Sequence, residues 1–136
     1  MSNWLIPALL SALFYGLWSF FPKITLKYVG VYSAIIYEVA GALVVGVLIL
    51  AAGGQKLDVN AKGMLFGGLA GFCALAGGLS YLIAAGRGSI ALVATVSALY
   101  PIVTLILAAL LLGETVTLKQ GVGIALALVA IYLVSS

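Results

Sequence analysis

Residues 31 to 52 read VYSAIIYEVAGALVVGVLILAA, a run holding one acid, no base and no proline. A helix needs roughly 20 apolar residues to cross a hydrocarbon core about 30 Å thick, and this run supplies them. It lacks the period-2 alternation of a barrel wall, so a crossing strand is the poorer reading. Outward from it, polar interruptions cut the chain at four places: Lys23 to Gly30, Gly53 to Lys62 (GGQKLDVNAK), Gly86 to Ser89, and Gly113 to Lys119. The spans left between them are about 4–22, 31–52, 63–85, 90–112 and 118–134. The sequence therefore predicts an all-α membrane protein of five transmembrane helices joined by short loops, forming a single transmembrane domain over residues 1–136.

Composition agrees. The chain is 65% hydrophobic and 7% charged, with mean hydropathy +1.35, whereas a soluble domain carries about a quarter charged residues. Six Lys or Arg and three acids cannot coat a water-facing surface. Other classes fall away too. Without histidine there is no imidazole base or imidazole metal ligand, and the single Cys73 cannot close an intrachain disulfide. The acids do not cluster, so neither a metal site nor another cofactor is expected. The scattered positive charges lack the footprint of a nucleic-acid surface. The N-terminus shows neither a basic n-region nor a small-residue cleavage site, and reads as a retained first span.

Seventeen glycines stand in this lipophilic chain. Gly63, Gly67 and Gly71 repeat at every fourth position, and Ala70, Ala74 and Gly78 do so on an adjacent face. Small residues at this spacing let helix backbones approach closely where lipid gives no hydrophobic drive for association. The third helix is thus expected to be the most tightly packed.

The positive-inside rule counts Lys and Arg in short loops. With five spans, Lys56, Lys62 and Lys119 fall on the N-terminal side and Lys23, Lys27 and Arg87 on the other, three against three. A balanced tally is compatible with insertion in both orientations. Two copies would then meet antiparallel and recreate the inverted repeats of many transporters, with a site at their interface. A single orientation beside a paralogous partner is the alternative.

One acid stands out. Glu38 lies about seven residues into the second span, roughly 10 Å deep at ~1.5 Å per residue. An ionisable group at such depth is expensive and usually faces the protein interior or a water-filled cavity, where it can exchange protons. Asp58 and Glu114 fall in loops. Lys23, following Pro22 near the end of the first helix, is the expected ion-pair partner of Glu38, because a short turn brings both to one membrane face. The bland alternative is a snorkelling lysine beside a glutamate bonded to a tyrosine.

Polar residues form stripes. Ser11, Tyr15, Trp18 and Pro22 share one face of the first helix, and Ser97, Tyr100, Pro101 and Thr104 one face of the fourth. Pro101 removes a backbone hydrogen bond in mid-span and is expected to kink that helix. Taken one at a time, such residues are better explained by interfacial anchoring and carbonyl satisfaction.

Residues 97 to 134, SALYPIVTLILAALLLGETVTLKQGVGIALALVAIYLV, resemble the EamA repeat of the drug/metabolite transporter superfamily. They carry Pro101 after a small-residue segment, a hydrophobic run into Leu112, Gly113 and Glu114, and a glycine-bearing last helix at Gly121 and Gly123. GRGSIALVATVSALYP (residues 86 to 101) and FYGLWSFFPK (residues 14 to 23) look like this family too. Most members have two such repeats and ten helices; this chain resembles a single-repeat, five-helix member, which implies that a second half is supplied in trans. The resemblance implies transport of small solutes across a prokaryotic inner membrane, with Pro101, Gly113 and Glu114 as hinge or scaffold residues.

The leading expectation is a secondary transporter of small metabolites, a homodimer or paired with a paralogous partner in the lipid bilayer. Glu38, with Lys23, Tyr15, Trp18, Tyr37 and Tyr100 around a central cavity, would bind the proton or solute. A multidrug-type exporter of lipophilic cations is the second reading, and a non-transporting membrane subunit the third. An enzyme is the least expected, since there is no catalytic triad, metal cluster or phosphate loop.

Overall fold

The computed structural model describes residues 4–53 and 58–135. Lys56, one of the basic residues in the orientation tally, lies outside the described residues. The described chain is helical: α1 (Leu5–Thr25), α2 (Val31–Gly53), α3 (Ala61–Arg87), α4 (Ile90–Ser97), α5 (Tyr100–Leu111) and α6 (Leu118–Ser135). Among the described residues, four segments are long and apolar enough to cross a membrane: Leu5–Thr25, Val31–Ala52, Ala61–Arg87 and Ile90–Leu111. The segment Leu118–Val134 is shorter. At 1.5 Å per residue it reaches about 26 Å, a small mismatch that bilayer thinning absorbs. The all-α membrane fold is as the sequence predicts.

The chain divides into two compact units, residues 1–87 and 88–136. In the first, α3 packs against both α1 and α2. The turn at residues 26–30 pins the end of α1 beside the start of α2, through bonds from the amides of Lys27 to the Ile24 carbonyl and of Tyr28 to the Thr25 carbonyl, each 3.0 Å. Both helices therefore lean on the C-terminal half of α3. There the buried residues collect: Pro22 on α1, Ala34 on α2, and Gly78, Tyr81, Leu82 and Ala85 on α3. The third helix is the most closely packed, as expected, but only through its C-terminal half. The Gly63–Gly67–Gly71 face is open, and a Cβ built on Gly67 or Gly71 would meet nothing within 4 Å. Asn60 starts α3 by accepting the amides of Lys62 (3.0 Å) and Gly63 (3.1 Å) on its side-chain oxygen, an N-cap that satisfies two orphan donors.

In the second unit α4 packs against α6. The kink expected at Pro101 is a full interruption. Proline has no N–H to offer the Ser97 carbonyl, so α4 stops at Ser97 and α5 restarts at Tyr100. Between them the chain makes tight turn bonds, from the Leu99 amide to the Val96 carbonyl (3.1 Å) and from the Ile102 amide to the Leu99 carbonyl (3.0 Å). After α5, Gly113 takes φ +68°, a left-handed conformation that costs glycine little. The chain reverses there, and the Glu114 amide reaches back to the Ala108 carbonyl at 3.3 Å. Thr117 and Gln120 then close a capping box on α6: the Thr117 amide donates to Gln120 Oε1 (2.8 Å) and the Gln120 amide to Thr117 Oγ1 (3.3 Å).

Candidate functional site

Three helices of the first unit bring three residues to one point. Trp18 comes from α1, Glu38 from α2 and Gly78 from α3. A Cβ placed on Gly78 would stand 3.4 Å from Glu38 Oε2, 3.5 Å from Ile35 Cδ1 and 3.6 Å from Trp18 Cζ2. The geometry follows from helical periodicity. Ala34, Ile35 and Glu38 occupy adjacent i, i+1 and i+4 positions that turn toward α3, whereas Tyr32, Ser33, Ile36 and Tyr37 line an open hollow of about 340 Å³ elsewhere on the α2 surface. Glu38 is half-buried, and its carboxylate and the edge of the Trp18 indole come to the same point on α3.

A second tier supports Trp18. Its ring lies 5.1 Å from that of Tyr81, tilted by 40°, within the range of favourable aromatic pairing. The Tyr81 hydroxyl donates to the carbonyl oxygen of Ser19 at 2.8 Å. The indole is thus held between the carboxylate and a tyrosine that is itself tied to α1.

Lys23 and Glu38, expected to pair, have different partners. The Lys23 ammonium donates to the carbonyl oxygen of Ala85 at 2.9 Å. Of the other expected site residues, Trp18 is brought to Glu38. Tyr37 adjoins Glu38 in sequence but lies in the open hollow, 61% exposed. Tyr15, 60% exposed, lies about one turn before Trp18 on α1. Tyr100 opens α5 in the second unit, where its carbonyl accepts the Thr104 hydroxyl at 3.3 Å. Pro101 sits at the helix interruption and Gly113 at the turn, with Glu114 exposed beside it. Beside the interruption the second unit has its own hollow of about 330 Å³, lined by Ala98, Leu99, Pro101, Gln120 and Gly123 among others.

Three residues here escaped the sequence reading. Gly78 passes for one more small packing residue, and nothing in the sequence singles out Tyr81 or Gln120 within the spans that hold them. The available signal is spacing: Gly78, Tyr81, Leu82 and Ala85 follow i, i+3, i+4, i+7, one continuous face of α3. Among the described residues no group of His, Cys, Asp or Glu is arranged to hold a metal ion, and Cys73 is exposed on α3.

A half-buried carboxylate inside a membrane span is an expensive group, and here it is framed by an indole and a bare stretch of backbone. The model of the EamA-like transporter family matches residues 2–136. The chain belongs to the EamA-like transporter family. It is a multi-pass membrane protein of a family that moves small molecules across membranes. An uncharacterized protein of Methanocaldococcus jannaschii is 29% identical over 135 residues, spanning 99% of this chain and 98% of that relative. No solved structure matches this EamA-like transporter.

Proposed function

We propose that the protein is a secondary transporter of small metabolites in a prokaryotic inner membrane, forming one transmembrane domain that works as an antiparallel homodimer or with a paralogous partner, and that Glu38 exchanges the coupling proton. The observation that carries this reading is Glu38 itself: a carboxylate inside a span, turned toward α3 and framed by Trp18 and Gly78. A charge there is tolerated where protein and water surround it, and alternate protonation changes its cost with each cycle.

Support for two copies comes from three directions. The match covers one repeat, and the relative from M. jannaschii is of matching length. The Lys and Arg tally is balanced. In the Gly63–Gly67–Gly71 stripe, a Cβ on Gly67 or Gly71 would meet nothing within 4 Å, although such stripes serve close helix contacts in membranes. Rocking of the two copies about their interface would then expose the site to either side in turn.

The test is flux in proteoliposomes loaded with a pH-sensitive dye and challenged with single amines, amino acids and sugars. The wild type should give a solute-dependent proton flux. Glu38→Gln keeps the side chain's size and removes its titration, and should abolish that flux while leaving the protein folded. Undiminished flux in the variant would rule out the coupling role.

A further inference from the structure

One end of the first unit carries positive charge with no acid beside it in sequence. The loops that hold Lys62 and Lys119 also hold Asp58 and Glu114, whereas residues 23–30 and 86–89, with Lys23, Lys27 and Arg87, hold no acid. The fold gathers these cations. Lys23 donates to the Ala85 carbonyl at 2.9 Å, and a Cβ on Gly86 would stand 3.7 Å from Leu26 Cδ1. Lys27 follows Leu26 and Arg87 follows Gly86, so the α1–α2 turn and the last turn of α3 form one basic corner. Lys27 and Arg87 are exposed there.

The start of α2 stands at the same corner. Its first helical bond runs from the Ala34 amide to the Gly30 carbonyl at 3.0 Å. The amides of Val31, Tyr32 and Ser33 therefore precede any intrahelical acceptor, and the positive end of the helix dipole adds to the two side chains. Just below, Tyr32, Ser33, Ile36 and Tyr37 occupy i, i+1, i+4 and i+5 positions on one side of α2 and line the open hollow of about 340 Å³. Tyrosine and serine hydroxyls can donate hydrogen bonds, while Ile36, one turn deeper, supplies an apolar wall. Tyr28 and Tyr32 are exposed, as amphipathic rings are at the level of lipid headgroups. Positive charge, hydroxyl donors and an apolar wall thus succeed one another from the helix end into the span, complementary to a phosphate, a glycerol and an acyl chain in that order.

We propose that this corner docks an anionic phospholipid, with Lys27 and Arg87 on its headgroup phosphate and the start of an acyl chain in the hollow lined by Tyr32, Ser33, Ile36 and Tyr37. A free phosphate ester would meet the cations and leave the hollow empty, whereas a lipid fills both. The hollow lies on a different side of α2 from Glu38, so the site stands whether or not Glu38 exchanges protons. Two antiparallel copies would carry one such site in each leaflet.

The experiment titrates phosphatidylglycerol and phosphatidylcholine of equal chain length onto the full chain in detergent and follows bound lipid by native mass spectrometry. The wild type should bind phosphatidylglycerol about tenfold or more tighter than phosphatidylcholine. Lys27→Gln and Arg87→Gln should each weaken phosphatidylglycerol by about fivefold, the share of one cation near an anionic headgroup, and leave phosphatidylcholine within about twofold. Lys27→Arg, which keeps the charge, should keep the preference. Lys62→Gln and Lys119→Gln, in the acid-bearing loops, should change neither lipid. Tyr32→Ala should weaken both lipids by about threefold, because the hollow takes the part they share. Melting by circular dichroism should be unchanged throughout, and glycerol 3-phosphate should not displace bound lipid. Equal affinity of the wild type for the two lipids would overturn the proposal, as would a loss in the Lys62 and Lys119 variants matching that at Lys27 and Arg87. Displacement by glycerol 3-phosphate, or full binding by Tyr32→Ala, would show that a bare phosphate ester suffices and that no lipid is seated in the hollow.

Discussion

Lys23 of α1 donates a 2.9 Å hydrogen bond to the carbonyl oxygen of Ala85 on α3. That oxygen is one of the last four carbonyls of its helix, which no intrahelical amide reaches, and a cation there also opposes the negative end of the helix dipole. One turn earlier on both helices the bond runs the other way, from the Tyr81 hydroxyl to the Ser19 carbonyl at 2.8 Å. Each helix thus donates once and accepts once. The lysine that the sequence pairs with Glu38 acts instead as one half of a clasp holding α1 on α3.

Breaking the clasp should lower stability in graded steps. Tyr81→Phe removes one neutral hydrogen bond, and about 1 kcal/mol is expected from its loss. Lys23→Met removes a charged one, for which about 2 kcal/mol is expected, while Lys23→Arg should retain part of it. Reversible unfolding in mixed micelles measures both. A larger effect for Tyr81→Phe than for Lys23→Met would contradict this ranking.

Leu82 is 0% exposed, and Leu82→Ala should destabilise by about 2 kcal/mol, the low end of the usual range for such truncations. The reason is the solvent. Lipid tails are as apolar as leucine, so the transfer contribution largely vanishes and the lost packing around a cavity remains. The same unfolding assay applies.

Pro101→Ala should rejoin α4 and α5. The new amide can reach the Ser97 carbonyl, and the turn bonds at Leu99 and Ile102 would be exchanged for helical ones. Carbon chemical shifts of Ala98 and Leu99 in nanodiscs should move toward helical values. If the interruption is a moving part, transport should fall while stability rises.

The proposed dual insertion would make orientation sensitive to a single charge. Thr115→Lys raises the N-terminal-side tally from three to four against an unchanged three, which should bias that side to the cytoplasm. Tags at either terminus, tested for accessibility from both sides, should report both orientations for the wild type and predominantly one for the variant.

Much of the fold was legible because it rests on length and polarity. Runs such as residues 31–52 announce themselves, and each interruption proposed from Lys, Gly and Asp residues falls at a helix boundary. Pro101 announced a disturbed fourth span, though a missing amide alone does not decide between a bend and a break. Glu38 was legible as an anomaly in an apolar run. Its neighbours were not, because they come from helices whose rotation the sequence leaves open. A weakly amphipathic helix in lipid has no water-facing stripe to orient it. Lys23 was misassigned for the same reason: its depth was inferable, but the carbonyl end of α3 beside it was not. Of the two small-residue stripes on the third helix, close packing forms at Gly78 and not at Gly67 or Gly71.

Proton exchange at Glu38 requires that it face a wet, protein-lined space. The direct measurement is Glu38→Cys in a Cys73→Ala background, with Leu43→Cys, at a position 65% exposed in the chain, as the lipid-facing reference. Both are treated with a water-soluble, membrane-impermeant thiosulfonate in sealed proteoliposomes. Position 38 should react readily and position 43 should not. Equal inertness at both would show that no wet space reaches position 38 and would contradict the proposed site.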